Sequence, residues 1–207
     1  MAVNYSVKAN VVDITADVPK ASDVFLVDTN VWYWMTYTRA SLSTRRPAHY
    51  QTTSYPPYTK AALGAGATIY QSGLSLAELT HVIEAAERDI YAATNGPTGA
   101  KEYRHNFPAE RNQVVAEISA AWALVTNLAV PLNSAIDAST ATAALNRLQT
   151  QKLDGYDLFI LESMQKRGVV QVITDDGDFA TVSGIQVFTA NRNVIEAAKI
   201  QGKLILR

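Results

Sequence analysis

Short apolar runs without strict polar alternation recur along this chain, each separated from the next by a stretch of helical period, and that alternation restricts the fold more than any other feature. The runs lie at 24–27, 67–70, 130–132, 169–173 and 185–188. A strand that is apolar on both faces needs cover on both faces, and a helix between successive strands supplies the crossover that parallel pairing demands. Helical period appears at 75–93, where Leu76, Leu79, Val82, Ile83, Ala86 and Ile90 share one face. It returns around Val114, Ile118, Trp122 and Val125, and again at 138–148, 154–167 and 194–199, with Gly168 suited to the left-handed position after a helix end. The expected class is α/β, a three-layer α/β/α sandwich with a mostly parallel central sheet. Residues 36–57 show no helical period and read as an irregular insertion before a short helix at 59–67. The stretch up to Pro108 reads as a second polar loop. A strand at 6–14 is possible, although the α/β pattern does not require it.

At 207 residues and 48% hydrophobic content, one core is expected: an N-terminal extension at 1–22, then a domain at 23–207 with an inserted loop near 38–58. The net charge of −1 excludes a uniformly basic nucleic-acid coat, so any such contact must be local. Without cysteine there is no disulfide framework and no thiolate ligand. Any metal must therefore be held by oxygen or imidazole, and His49, His81 and His105 do not pair at ligand spacing. The first dozen residues lack an apolar signal core, and no stretch reaches the roughly 20 apolar residues of a membrane helix. A cytoplasmic protein with no membrane partner is the expectation.

The chemistry concentrates in acids. In an open parallel sheet, ligands bind beyond the carboxyl ends of the strands, where loops converge and helix N-termini present their positive ends. Asp28 ends the first strong strand and Asp176 follows the 169–173 strand, so both should enter one crevice. Glu78 and Asp157 lie near helix starts that could open onto the same edge. Four clustered carboxylates repel, and a bound cation resolves that cost; oxygen ligands favour Mg²⁺ or Mn²⁺. Each acid also has a structural explanation. Ser75 to Glu78 fits a capping box and Asp154 to Asp157 is a looser version of one, Asp28 could cap a helix, and Asp176-Gly177 is a common turn pair.

Four segments occur in an informative order: Val27-Asp28-Thr29-Asn30, Leu74-Ser75-Leu76-Ala77-Glu78-Leu79, Tyr156-Asp157-Leu158-Phe159-Ile160 and Ile173-Thr174-Asp175-Asp176-Gly177-Asp178-Phe179. Taken together they resemble the signature segments of the PIN-domain ribonucleases, over roughly residues 24–198. The resemblance implies a metal-dependent endoribonuclease in which Asp28, Glu78, Asp157 and Asp176 are catalytic metal-binding acids and Asp178 is a further metal ligand. Asp154 and Asp175 fall off the matched positions. Thr29, Asn30 and Thr174 would order water or phosphate beside the metal. The Asp-Thr-Asn and Thr-Asp-Asp-Gly-Asp-Phe segments are similar to those of bacterial toxins, which implies a toxin-antitoxin pair, an antitoxin protein as partner and a homodimer formed through helices. This chain is longer than a compact toxin at 1–23, 38–58 and 94–108.

Between Asp28 and Glu78 there is no acid, while Arg39, Arg45, Arg46 and Lys60 alternate with Tyr37, Tyr50, Tyr55 and Tyr58. Cations neutralise phosphates and aromatic rings stack unpaired bases, so this segment is the expected single-stranded RNA-binding surface. An ordinary loop with solvated arginines and packed tyrosines would have the same composition. Trp32, Trp34 and Trp122 sit in apolar-periodic segments and read as core. Two alternatives remain: a PIN-like module that binds RNA or protein without cutting, and a phosphatase of the haloacid-dehalogenase type. The latter calls for a second Asp two residues after the first, where this chain has Asn30.

Overall fold

In the computed structural model, which describes residues 3–133 and 135–207, strands β1 (Asn10–Asp13), β2 (Val24–Val27), β3 (Thr68–Gln71), β4 (Val130–Pro131), β5 (Gln171–Ile173) and β6 (Gln186–Thr189) form one sheet. Their order across it is β1-β6-β5-β2-β3-β4, and every pairing is parallel. The helices are α1 (Thr29–Thr36), α2 (His49–Ala65), α3 (Gly73–Asn95), α4 (Ala100–Asn106), α5 (Pro108–Leu128), α6 (Ala138–Leu148), α7 (Gly155–Lys166) and α8 (Arg192–Ile200).

Strand alternation sorts the apolar side chains into two cores. Val12, Phe25, Val27, Ile173 and Phe188 pack with α1, α2, α3 and α5 on one face. Val11, Leu26, Val172 and Val187 pack with α6, α7 and α8 on the other. Because both faces are buried, the central strands carry no polar alternation, and the three-layer α/β/α class follows.

Three segments depart from the sequence expectation. Residues 10–13 do belong to the sheet: β1 lies beside β6, with Val11 opposite Val187 and Val12 opposite Phe188. Its outer edge is closed by the C-terminal tail, since the Val11 amide donates to the Lys203 carbonyl (2.9 Å) and the Ile205 amide to the Val11 carbonyl (2.8 Å). Helix α2 begins at His49, ten residues before the expected start at 59, and runs through Pro56 and Pro57. An interior proline removes an amide donor and costs about 3 kcal/mol. The helix forms nonetheless because Tyr55, Tyr58, Thr59 and Ala62, spaced i, i+3, i+4 and i+7, are all buried. The tyrosines that resemble loop punctuation are its apolar stripe. Finally, the polar stretch before Pro108 contains α4, whose Tyr103 is buried against Tyr91 and Phe107 with ring centroids 5.5 and 6.4 Å away. One buried residue in seven leaves no period to read.

Helix α2 also ties down the loop after β5. The Tyr55 hydroxyl donates to Asp175 Oδ1 (2.6 Å), accepts from the Ala190 amide (2.9 Å) and shares a hydrogen bond with Thr189 Oγ1 (2.8 Å). Tyr50 Oη (3.0 Å) and Gln51 Nε2 (2.7 Å) donate to Asp175 Oδ2. Asp175 thus faces α2 while its neighbour Asp176 is left to the other side. Replacing Tyr55 by Phe orphans the buried Ala190 amide and should cost about 1–3 kcal/mol in urea unfolding; an unchanged midpoint would show that the hub is dispensable.

Candidate metal centre

The register of β2 against β5 sets the site. Val27 pairs with Ile173, so Asp28 and Thr174 emerge side by side from adjacent strands. This is the point where connections diverge, since the chain leaves β2 for β3 on one side and returns to β5 on the other, the place where an open α/β sheet leaves a crevice. Thr174, fully buried, joins the two strand-end acids: its hydroxyl donates to Asp28 Oδ2 (2.5 Å) and accepts from the Asp176 amide (2.9 Å). The other Asp28 oxygen, Oδ1, accepts from the Thr29 amide (2.6 Å) and caps α1. The capping explanation of Asp28 therefore holds alongside its place in the crevice, because a carboxylate has lone pairs for both.

Glu78 and Asp157 reach the same point from helices. The amino-terminal cap of α3 is Ser72, which accepts from the Leu74 amide, so Glu78 is in the second turn rather than in a capping box with Ser75. Asp157 lies in the first turn of α7, whose cap residue Asp154 makes no side-chain capping bond. One carboxylate oxygen each from Asp28, Glu78 and Asp157 lie within 4.8 Å of one another. Asp176 stands beside this trio rather than within it: its Oδ1 accepts from the Asp178 amide (2.8 Å), and its charge bears on Asp28, Glu78 and Asp157. Asp178 also lines a cavity of about 200 Å³ with Tyr5, Lys8 and Lys152. Tyr5 packs so closely on Gly177 that a methyl group there would meet its ring at 2.2 Å, so a larger residue between Asp176 and Asp178 requires the Tyr5 side chain to move.

Burial and mutual repulsion raise the affinity of these acids for protons. Asp28 is pushed up to about 7, first by burial, then by Glu78 and Asp176, with the Thr174 hydrogen bond acting in the opposite sense. Asp157 is pushed up to about 9 by burial and by Asp28, Glu78 and Asp176. Glu78, Asp176 and Asp178 are also raised, burial being the largest cause in each. Asp154, exposed at the mouth, adds to the repulsion on Glu78, Asp157, Asp176 and Asp178, a contribution its off-motif position in the sequence conceals. Among the described residues, no ion pair involves Asp28, Glu78, Asp157 or Asp176.

Buried oxygens around the trio also lack partners. Thr29 Oγ1 approaches Glu78 without completing a hydrogen bond, and Thr29 Oγ1, Asn30 Oδ1, Ser75 Oγ and Glu78 Oε2 are all buried and unpaired. An all-oxygen donor set with unsatisfied acceptors and, among the described residues, no ion-pair partner fits a hard divalent ion such as Mg²⁺ or Mn²⁺.

The basic segment is placed differently. Arg39 pairs with buried Glu87 (2.8 Å), and Tyr37 donates to the same carboxylate (2.7 Å). Tyr37, Tyr55 and Tyr58 are buried, Tyr58 donating to Asp17, so of the four tyrosines Tyr50 alone is exposed. Arg45 reaches Asp89 at 3.5 Å with 77% of its side chain exposed, and Arg46 and Lys60 are exposed.

The PIN domain family model matches residues 25–185, most of the chain. Among solved structures, the chain is similar to VapBC2 from Rickettsia felis bound to a DNA fragment from their promoter, at 12% identity over 80% of this chain and 98% of that chain, with a TM-score of 0.44. No curated protein matches the sequence.

The raised carboxyls give the site a testable pH signature. The unfolded chain releases these protons near 3.8, whereas the folded chain holds them to about 7 at Asp28 and about 9 at Asp157. The metal-free protein should therefore lose stability as pH rises from about 4 through that range. Mn²⁺, which needs the ionised ligands, should raise the melting temperature more at about pH 8 than at about pH 5. Equal shifts at the two pH values would place the ion elsewhere.

Proposed function

Since the chain belongs to the PIN-domain family, we propose that it is a divalent-metal-dependent ribonuclease that hydrolyses phosphodiester bonds in single-stranded RNA. One observation carries the proposal: three carboxylates within 4.8 Å of one another, with no ion-pair partner among the described residues, at the switch point of a parallel sheet. Asp28, Glu78 and Asp157 would hold the ion, with Asp176 adding charge from the β5 side and Asp178 behind it. A bound Mg²⁺ or Mn²⁺ supplies Lewis-acid stabilisation of phosphate charge and lowers the pKa of water.

The protein's own part is to orient and to exclude. Hydrogen bonds from Thr174 and the Thr29 amide fix both oxygens of Asp28, so its carboxylate cannot rotate away from the crevice. Unpaired Thr29, Asn30 and Ser75 oxygens are available to order water or a phosphate oxygen around the trio. Arg45, Arg46 and Lys60 would meet the RNA backbone, while Arg39, held by Glu87, serves the fold. The segments shared with bacterial toxins support a further step, that the nuclease is a toxin restrained by an antitoxin protein.

Asp157→Asn should lower Mn²⁺-dependent cleavage of a single-stranded RNA by more than about a hundredfold, beyond the usual loss from an outer-sphere partner. It should also raise the melting temperature of the metal-free protein at about pH 8, because it removes a buried carboxyl that the folded chain must keep protonated there while the unfolded chain ionises it. Wild-type cleavage by this variant would end the assignment. For the toxin role, controlled expression of the wild-type chain should arrest bacterial growth and Asp176→Asn should relieve the arrest; harmless expression of an active nuclease would refute it.

A further inference from the structure

Beyond the acids, residues of α1, of α3 and of the 43–45 segment enclose a cavity of about 270 Å³. Tyr33 follows Thr29 by four residues on α1, and His81 and Val82 follow Glu78 by three and four on α3. The cavity wall therefore begins one turn beyond the carboxylates on both helices and continues along α3 to Asp89, eleven residues past Glu78 or about 16 Å along the helix axis. Tyr33, Val82, Ala85 and Ala86 form its apolar lining, the two alanines leaving the space. Ser43, Arg45, His81 and Asp89 supply polar groups.

We propose that this cleft is a nucleobase pocket for the nucleotide next to the scissile phosphate, an assignment that rests on the ribonuclease function argued above. An apolar slot with a few polar groups at its edge suits a flat aromatic ring, and its volume holds one ring system rather than a run of peptide side chains. The Tyr33 ring is braced for stacking: it lies against Tyr37 (centroids 5.2 Å apart, interplanar angle 30°), and the Tyr37 hydroxyl is held by Glu87, which Arg39 neutralises. The Arg39 and Tyr37 pair that the sequence offers as direct RNA contacts thus stands behind Tyr33 rather than lining the pocket. Arg45, exposed and only 3.5 Å from Asp89, forms a surface pair that costs little to break, so its guanidinium can turn to a phosphate. Asp89 then presents an acceptor to an exocyclic amine on the base edge.

The test uses Asp157→Asn protein, which leaves RNA intact, and a fluorescein-labelled single-stranded RNA in which each nucleotide in turn is made abasic. Anisotropy should show one position whose abasic form binds roughly tenfold more weakly, the scale of one lost stacking contact. Ala85→Phe, which fills the cleft, should weaken binding of the intact RNA by a similar factor. The abasic change should then have no further effect, because both remove one interaction. In the Asp157-containing protein, the Mn²⁺ melting shift of Ala85→Phe should equal that of wild type, showing a folded chain with its acids in place. If Ala85→Phe fails that control, Val82→Trp at the exposed rim, where Val82 is 37% accessible, takes its place. Unaltered RNA affinity in a variant that keeps the Mn²⁺ shift overturns the pocket, as do additive losses. Retained RNA affinity with loss of a co-expressed protein partner overturns it too and assigns the cleft to a protein segment. Mn²⁺-dependent cleavage with no abasic-sensitive position defeats the pocket and leaves the nuclease standing. Abasic sensitivity without cleavage by wild type does the reverse.

Discussion

The hydrogen bond from Thr174 to Asp28 exists because Val27 and Ile173 pair in register, and a one-residue slip of β5 would turn Thr174 to the other face of the sheet. That slip would also exchange Val172 and Ile173 between the two cores, so packing on both faces enforces the alignment. Thr174 then holds Asp176 through its amide, and Tyr55 holds Asp175 away on the far side of the same loop. Two consecutive aspartates are thereby given opposite surroundings, one satisfied by three side-chain donors from α2 and the other turned toward like charges. The electrostatic strain of the crevice is thus confined to the acids that can use it.

Holding that strain has a thermodynamic cost that the rest of the molecule offsets. Natural folds break local rules chiefly at functional sites, and a buried group of carboxylates without a counter-charge is such a breach. The balance comes from two apolar cores and from ion pairs placed well outside the crevice, such as Arg207 with Asp17 and Asp23, whose carboxyls are held below their ordinary range. Acids of the same type behave in opposite ways within one chain. The difference lies in whether an arginine stands beside them.

How much of this was legible in the sequence depended on the range of the interaction. Strand-end acids such as Asp28 and Asp176 could be placed because an apolar run stops at a definite residue, and the central strands and long helices followed from periodicity. Helix α2 escaped because its buried face is made of tyrosines and a threonine rather than aliphatic side chains, and because Pro56 and Pro57 look like breaks. The partners of Arg39, Tyr37 and Tyr58 were equally hidden: Glu87 is 48 residues from Arg39, and Asp17 is 41 from Tyr58. No local pattern encodes such pairs. Glu78 and Asp157 were ambiguous for a different reason, since a cap and a ligand have the same sequence appearance until the helix start is known to within one turn.

The sheet edges have a consequence for assembly. At one side the C-terminal tail occupies the amide and carbonyl of Val11 in β1; at the other, β4 is two residues long and contains Pro131, which has no amide to offer. Neither side offers an extended template on which a foreign strand could continue the ladder. Among the described residues, the surface left for a docking protein is made of side chains on helices and loops. Its specificity would be written in surface chemistry rather than in main-chain hydrogen bonds.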